Sequence, residues 1–151
     1  MHHEQFLTEL RNRLDVPSLE FNREMVCRLL VDNEFVVDLE WDDTAKRLYL
    51  YSVASSSARQ LKEQYFELLA ANHFCLSRGD AVVSIDVERD EVLLVHTLET
   101  PAIDMDSFMN LLGRFIERIG VWKTMLLQSV HATPADQSSP TDSGSGDFIR
   151  V

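Results

Sequence analysis

Positive charge is what this sequence lacks most. Fourteen lysines and arginines stand against 25 aspartates and glutamates in 151 residues, a formal net charge of −11. Such a chain repels phosphate backbones and anionic lipid, which excludes nucleic acid as an expected partner. Cysteine is scarce too: Cys27 and Cys75 fit no C-x-x-C spacing, so both read as buried packing residues. Long hydrophobic runs are missing. The N-terminal MHHEQFLTELRNRL has no apolar stretch of signal-peptide length, and VLLV at 92–95 is far too short to span a membrane. A cytoplasmic protein without membrane insertion is expected. Catalytic signatures are absent as well: there is no H-E-x-x-H, EF-hand spacing or paired Cys/His, no nucleophile elbow around Ser55, Ser56, Ser57 or Ser84, and no phosphate-binding loop at Gly79. No metal and no cofactor are expected.

What the chain does have is enough apolar content for one core. With 45% hydrophobic residues and two tryptophans, a chain of this length folds without metal or disulfide staples. The globular domain is expected over residues 1–131. After Val130, HATPADQSSPTDSGSGD has no periodicity and too little apolar surface to offset its ordering entropy, so 132–151 reads as a flexible Ser/Pro/Gly-rich tail. Its last four residues, FIRV, could add a strand to an exposed edge.

Phe6, Leu7, Leu10 and Leu14 recur at helical spacing before Pro17 breaks the pattern. MVCRLLV (25–31), FVVDLEW (35–41) and RLYLYSV (47–53) read as three sequential antiparallel strands separated by DNE and DDTAK. A second helix follows over 58–73, with Leu61, Tyr65, Leu68, Leu69 and Asn72 along one stripe. AVVSIDVE and EVLLVHTL form a hairpin whose Arg89-Asp90 junction lacks the Asn-Gly chemistry of a tight turn, which points to a longer ERDE loop. The last helix carries Met105, Phe108, Leu112, Phe115, Ile119, Trp122 and Leu126 behind an Asp104 cap. Gly113 and Gly120 within it imply close packing or a bend.

SIDVERDEVLLVH, residues 84–96, concentrates Asp86, Glu88, Asp90, Glu91 and His96. Strand alternation puts Asp86 and Glu88 on one face and leads them into the turn, so the cluster reads as the wet rim of a hairpin. His96 shares the apolar face of Val92, Leu94 and Leu98 and reads as a core or interface histidine. A small carboxylate- or metal-dependent hydrolase using Asp86, Glu88, Asp90 and His96 is the weaker alternative. The more unusual feature is surplus apolar surface. Leu48 and Leu50 alternate with Tyr49, Tyr51 and Val53, and Val92 and Leu94 with Leu93 and Val95. One helical layer covers one face of a sheet, so the other must meet a second subunit, a partner, or both.

The element order α-β-β-β-α-β-β-α, an α+β fold with helices packed on a twisted antiparallel sheet, resembles the class I type III secretion chaperones, the family of the Tir chaperone. VPSLEFNREMVCRLLVDNEFVVDLEW resembles the family's entry into its first two strands. YFELLAANHF is similar to its helix-two ending, with Leu-x-x-Asn at Leu69 to Asn72, and FMNLLGRFIERIGVWKTML to its final helix with a late Trp122. Two departures stand out: Gly79-Asp80 replaces a Gly-Gly pair, and Asn22 stands where an acid is common.

The resemblance implies a non-enzymatic homodimer that holds the N-terminal region of secreted effectors as an extended chain, without ATP. The secretion ATPase is a further candidate partner. For effector binding it suggests Phe6, Leu7, Leu10 and Leu14, with Val26, Leu30, Val36 and Leu48 behind them. For the dimer face it suggests Leu61, Tyr65, Leu68, Leu93, Val95 and His96. A regulatory scaffold of the same fold, sequestering a secretion regulator, is the alternative reading.

Overall fold

The computed structural model describes residues 2–78 and 80–131. Helix α1 (His3–Leu14) precedes a meander of β1 (Val26–Val31), β2 (Phe35–Asp42) and β3 (Arg47–Ser55). Helix α2 (Tyr65–Arg78), the hairpin β4 (Val82–Asp86) and β5 (Glu91–Glu99), and helix α3 (Met105–His131) follow. The five strands form one antiparallel sheet of order β1-β2-β3-β5-β4, the α+β architecture expected from the sequence pattern. The stretch expected as a tail, 132–151, and its FIRV end lie outside the described residues.

Local chemistry explains the boundaries. Asp15 takes a left-handed conformation at φ 55° and ends α1, its N–H donating to the Arg11 carbonyl. Asp32 and Asn33, at φ 53° and 55°, make the β1–β2 turn, closed by the Glu34 N–H on the Val31 carbonyl at 3.0 Å. The β4–β5 loop is the longer one: the Asp86 carboxylate accepts the N–H groups of Glu88 and Arg89, each at 3.0 Å, and Asp90 turns the chain at φ 59°. Asp104 caps α3 by accepting the Ser107 N–H at 2.9 Å, and this bond holds its carboxyl below the usual range.

Two local expectations are corrected. The stretch expected as one helix from 58 is a 3-10 segment (Ala58–Gln64) followed by α2, with Leu61 off helical geometry at φ −99°, ψ 21°. Asp90 holds that segment's start, its carbonyl accepting the Ala58 N–H and its carboxylate the Arg59 N–H. Gly113 faces open space, so close packing does not explain it, whereas a side chain at Gly120 would meet the Phe35 ring at 3.6 Å.

The core lies between one face of the sheet and helices α1 and α3. Cys27, Leu29, Val37, Leu39, Trp41, Leu48, Leu50 and Leu94 meet Phe6, Leu10, Phe108, Leu112, Phe115 and Ile119. Each fully buried large side chain contributes about 1.5–3 kcal/mol. Cys27 is part of this packing, and burial pushes its thiol up to about 11, too high for a reactive thiolate at neutral pH. The side chain of Cys75 lies outside the described residues. Ala54, Ala58, Leu61, Leu68, Val92 and Leu126 form a smaller second core at the other end. Among the described residues no helix is long and apolar enough to cross a membrane.

Candidate binding surface

Because strand side chains alternate, every buried core residue leaves a neighbour on the opposite face. That face carries Val26, Arg28 and Leu30 from β1, Val36, Asp38 and Glu40 from β2, and Tyr49, Tyr51 and Val53 from β3. Leu93 and Val95 of β5 and Val82 of β4 continue it. Among the described residues no helix packs against it, and Leu30 is 62% exposed. The pairings Arg28–Asp38, Asp38–Tyr51, Tyr51–Val95 and Val95–Val82 place these residues in one row across all five strands.

One ion pair sits in that row. Arg28 donates to both oxygens of Asp38, Nε to Oδ1 and Nη2 to Oδ2, each at 2.7 Å. Asp38 is only 6% exposed, so the fork neutralises a carboxylate that would otherwise sit desolvated in an apolar surface. The beginnings of burial already raise the Tyr51 hydroxyl above its ordinary pKa, with the charges of Asp38 and Glu40 adding to the effect.

The two sheet edges are treated differently. At β4, the Asn72 side chain from α2 imitates a neighbouring strand: its Nδ2 donates to the Val83 carbonyl at 2.8 Å and its Oδ1 accepts the Val83 N–H at 2.7 Å. At β1, Asn22 closes the Val26 end, its N–H donating to the Val26 carbonyl and its Oδ1 accepting the Val26 N–H, each at 2.9 Å. Only the Asn22 oxygen is needed at that turn, so an asparagine serves where an acid is common. Beyond it, Arg28 and Leu30 share the outward direction of Val26, and among the described residues their outward main-chain groups meet no partner. Such an edge is a template for strand addition.

The suggested effector-binding residues divide. Phe6, Leu7, Leu10 and Leu48 are core, which corrects their reading as groove walls: the Phe6 ring, for example, is already held against Phe108 and Trp41 at centroid distances of 5.0 and 5.4 Å. Leu14 is half-buried against the same core, while Val26, Leu30 and Val36 lie on the uncovered face.

The dimer set divides likewise. Leu61 and Leu68 fill the second core, and His96 sits on the helix-covered face opposite Leu50, so these three are corrected to intrasubunit packing. Tyr65 is half-buried and donates its hydroxyl to the Ala58 carbonyl at 3.0 Å. Leu93 and Val95 face outward on the open side. Among the side chains of α2 that the structure describes, the most exposed apolar ones are Phe66 and Leu69, at 79% and 71%. Neither was in the suggested dimer set; the signal for them was the helical phase counted from Tyr65, which the 3-10 break conceals when the segment is read from residue 58.

The acidic cluster at 84–96 is dispersed. Asp86 and Asp90 are used in turn and cap hydrogen bonds, and His96 lies on the other face of the sheet, its pKa lowered first by burial. Among the described residues no three His, Cys, Asp or Glu side chains are placed to hold a metal ion.

Residues 5–123 match the family described as Tir chaperone protein (CesT). The fold is similar to the solved HopA1-SchA chaperone-effector complex, at 17% identity and a TM-score of 0.71 over 81% of this chain and 93% of that one. It is also similar to the ExsC-ExsE complex, at 24% identity and a TM-score of 0.68, covering 81% and 91%. A third likeness is to the Yersinia pestis type III secretion chaperone SycH in complex with a stable fragment of YscM2, at 19% identity and a TM-score of 0.65, covering 80% and 99%. No curated protein sequence matches the chain. With the family profile covering nearly all of the folded region, and the fold agreeing with it, the chain belongs to the Tir chaperone protein (CesT) family.

Proposed function

We propose that this chain is a type III secretion chaperone that holds the N-terminal region of one or more secreted effectors as an extended segment, in the bacterial cytoplasm and without ATP. It acts as a binding protein, not an enzyme. The observation that carries this reading is the apolar sheet face without a helical cover, bordered by the open β1 edge at Arg28 and Leu30. An extended segment gains main-chain hydrogen bonds along such an edge and inserts alternate side chains against the face. Val26, Leu30 and Val36 are the contact residues on the β1 side, and each apolar anchor of the effector buried there contributes about 1.5–3 kcal/mol.

The same reading takes the functional unit as a homodimer, supported by the outward Phe66 and Leu69 of α2, with Leu93 and Val95 on the adjoining hairpin. Exposed apolar residues of that size are costly to leave in water on a chain that works alone.

Co-expression with the N-terminal region of a type III effector from the same bacterium tests the proposal. A soluble complex is expected in which that region resists trypsin, and a folded Leu30→Asp variant loses the protection. Complete cleavage of the effector region in the presence of the wild-type chain would overturn it. In parallel, sedimentation equilibrium should give a dimer for the wild type and a monomer for Phe66→Asp; a monomeric wild type removes the homodimer.

A further inference from the structure

The ladder between β2 and β3 stops early. Its register runs from Asp42–Arg47 to Asp38–Tyr51 and goes no further, although β2 begins at Phe35 and β3 continues to Ser55. Past that point, among the described residues, β2 pairs only with β1, and β3, with a register shift between Val53 and Ser55, pairs only with β5. Among the described residues a single side-chain bond crosses the split, the Ser52 hydroxyl donating to the Val36 carbonyl at 2.6 Å. The opening is a slot of about 630 Å³ lined by Val36 and Val53 from the open face and by Leu126 of α3 from the helix side, a volume within the range of sites that hold a ligand.

Its rim is bipolar. On the β1 side stand Arg28 and, from α3, Lys123, whose ammonium lies 5.3 Å from the centroid of the Phe35 ring at the start of β2. On the β5 side stands Glu91. Both oxygens of Asp38, the other acid at the slot, are taken by Arg28. Among the described residues Lys123 and Glu91 form no ion pair, so one cation and one carboxylate remain uncompensated on opposite sides of an apolar opening.

We propose that this slot selects the bound segment by charge order: it takes an extended stretch carrying an acidic and a basic side chain on either side of an apolar anchor. The proposal rests on the chaperone reading and deepens it. From Arg28 on β1 to Glu91 on β5 is three strand spacings, about 14 Å, with a further offset of about two side-chain rows along the strands. A chain rising about 3.3 Å per residue crosses that diagonal, about 19 Å long, in about six residues. Side chains on one face of an extended chain recur every second residue, so the acid, the anchor and the base occupy even-numbered offsets. The acid meets Lys123 and Arg28, the anchor fills the split, and the base meets Glu91.

The test is a selection of random dodecapeptides displayed on phage against the full chain, followed by fluorescence anisotropy with the enriched peptides. Enriched sequences are expected to carry an acid and a base about six residues apart, flanking an apolar residue. Glu91→Lys should weaken binding about tenfold, the worth of one partly desolvated ion pair, and a peptide with its base changed to an acid should recover it. Val53→Trp, which fills the slot, should abolish binding while thermal melting stays cooperative. Enrichment without the charge pattern, or indifference to Glu91→Lys, overturns the slot and leaves the chaperone reading standing. Absence of any enriched peptide also overturns the slot, while effector protection from trypsin continues to decide the chaperone reading separately. If Val53→Trp instead converts a dimer to a monomer, the slot belongs to a subunit interface and the proposal is wrong.

Discussion

Leu50 and Tyr51 are adjacent in β3 and live in different worlds. Leu50 is sealed beneath the helices, while Tyr51 lies half-buried on a face whose row runs from Arg28 to Val82. Both faces carry apolar side chains, the open one interrupted by Arg28, Asp38 and Glu40, but among the described residues only one is covered by helices. The lesson is that apolar content alone does not distinguish an interior from a binding surface; the distinction lies in whether the same subunit supplies the second layer.

The comparison between faces breaks most sharply by truncation. Leu48→Ala, on the covered side, should cost about 2–5 kcal/mol in urea unfolding because its cavity is surrounded by packed neighbours. Leu30→Ala, on the open side, should stay within about 0.5 kcal/mol of wild type. Equal losses would mean that the open face is covered after all.

A smaller effect is expected where charge enters the open face. Arg28→Leu leaves the Asp38 carboxylate desolvated and unpaired, at a cost of about 1–3 kcal/mol, reduced from that of a fully buried pair because Arg28 itself is largely exposed. Asp38→Asn on that background should restore most of the loss, and failure of the rescue would show that Arg28 acts through packing.

Asn72→Ala removes both bonds to Val83 and should cost about 1–2 kcal/mol. It also uncaps the β4 edge, so light scattering should reveal faster aggregation than for the wild type. An unchanged aggregation rate would mean that α2 shields this edge without its amide.

The smallest expected effect is a pH dependence from the covered face. Burial lowers the pKa of His96 below the ordinary value of 6.5, outweighing the opposing pull of Asp80 and aided by Arg114 and Arg118. The unfolded state therefore binds more protons between the two pKa values. His96 contributes stability that is fully present above about 6.5 and is lost as pH falls through its folded value. Urea midpoints measured across this range should fall less steeply for His96→Leu than for the wild type; parallel profiles would refute the assignment.

Much of the fold was legible because its signals are local. Alternation around Leu48 and Leu50 marked a strand, Asp104 marked a helix start, and the long stripe from Met105 to Leu126 marked the main core helix. The 3-10 break near Leu61 was hidden because a hydrogen bond from the Arg59 N–H to Asp90, some thirty residues on, helps hold it. Phe6 and Leu10 read as well for a groove as for a core, and only the arrival of Trp41, Phe108 and neighbouring side chains decided between them. The split beside Val36 left no sequence trace: both strands continue their alternation past the point where they part.

The sequence by itself determined which residues share a strand face, where the chain turns, and that the apolar surface exceeds what one helical layer hides. Periods of two and 3.6 are properties of neighbouring residues, so no distant partner is needed to set them. Tertiary structure alone decided which face α1 and α3 cover, which edge Asn72 closes, and where the sheet opens. Those outcomes depend on contacts between residues far apart in the chain, whose energies no local pattern encodes.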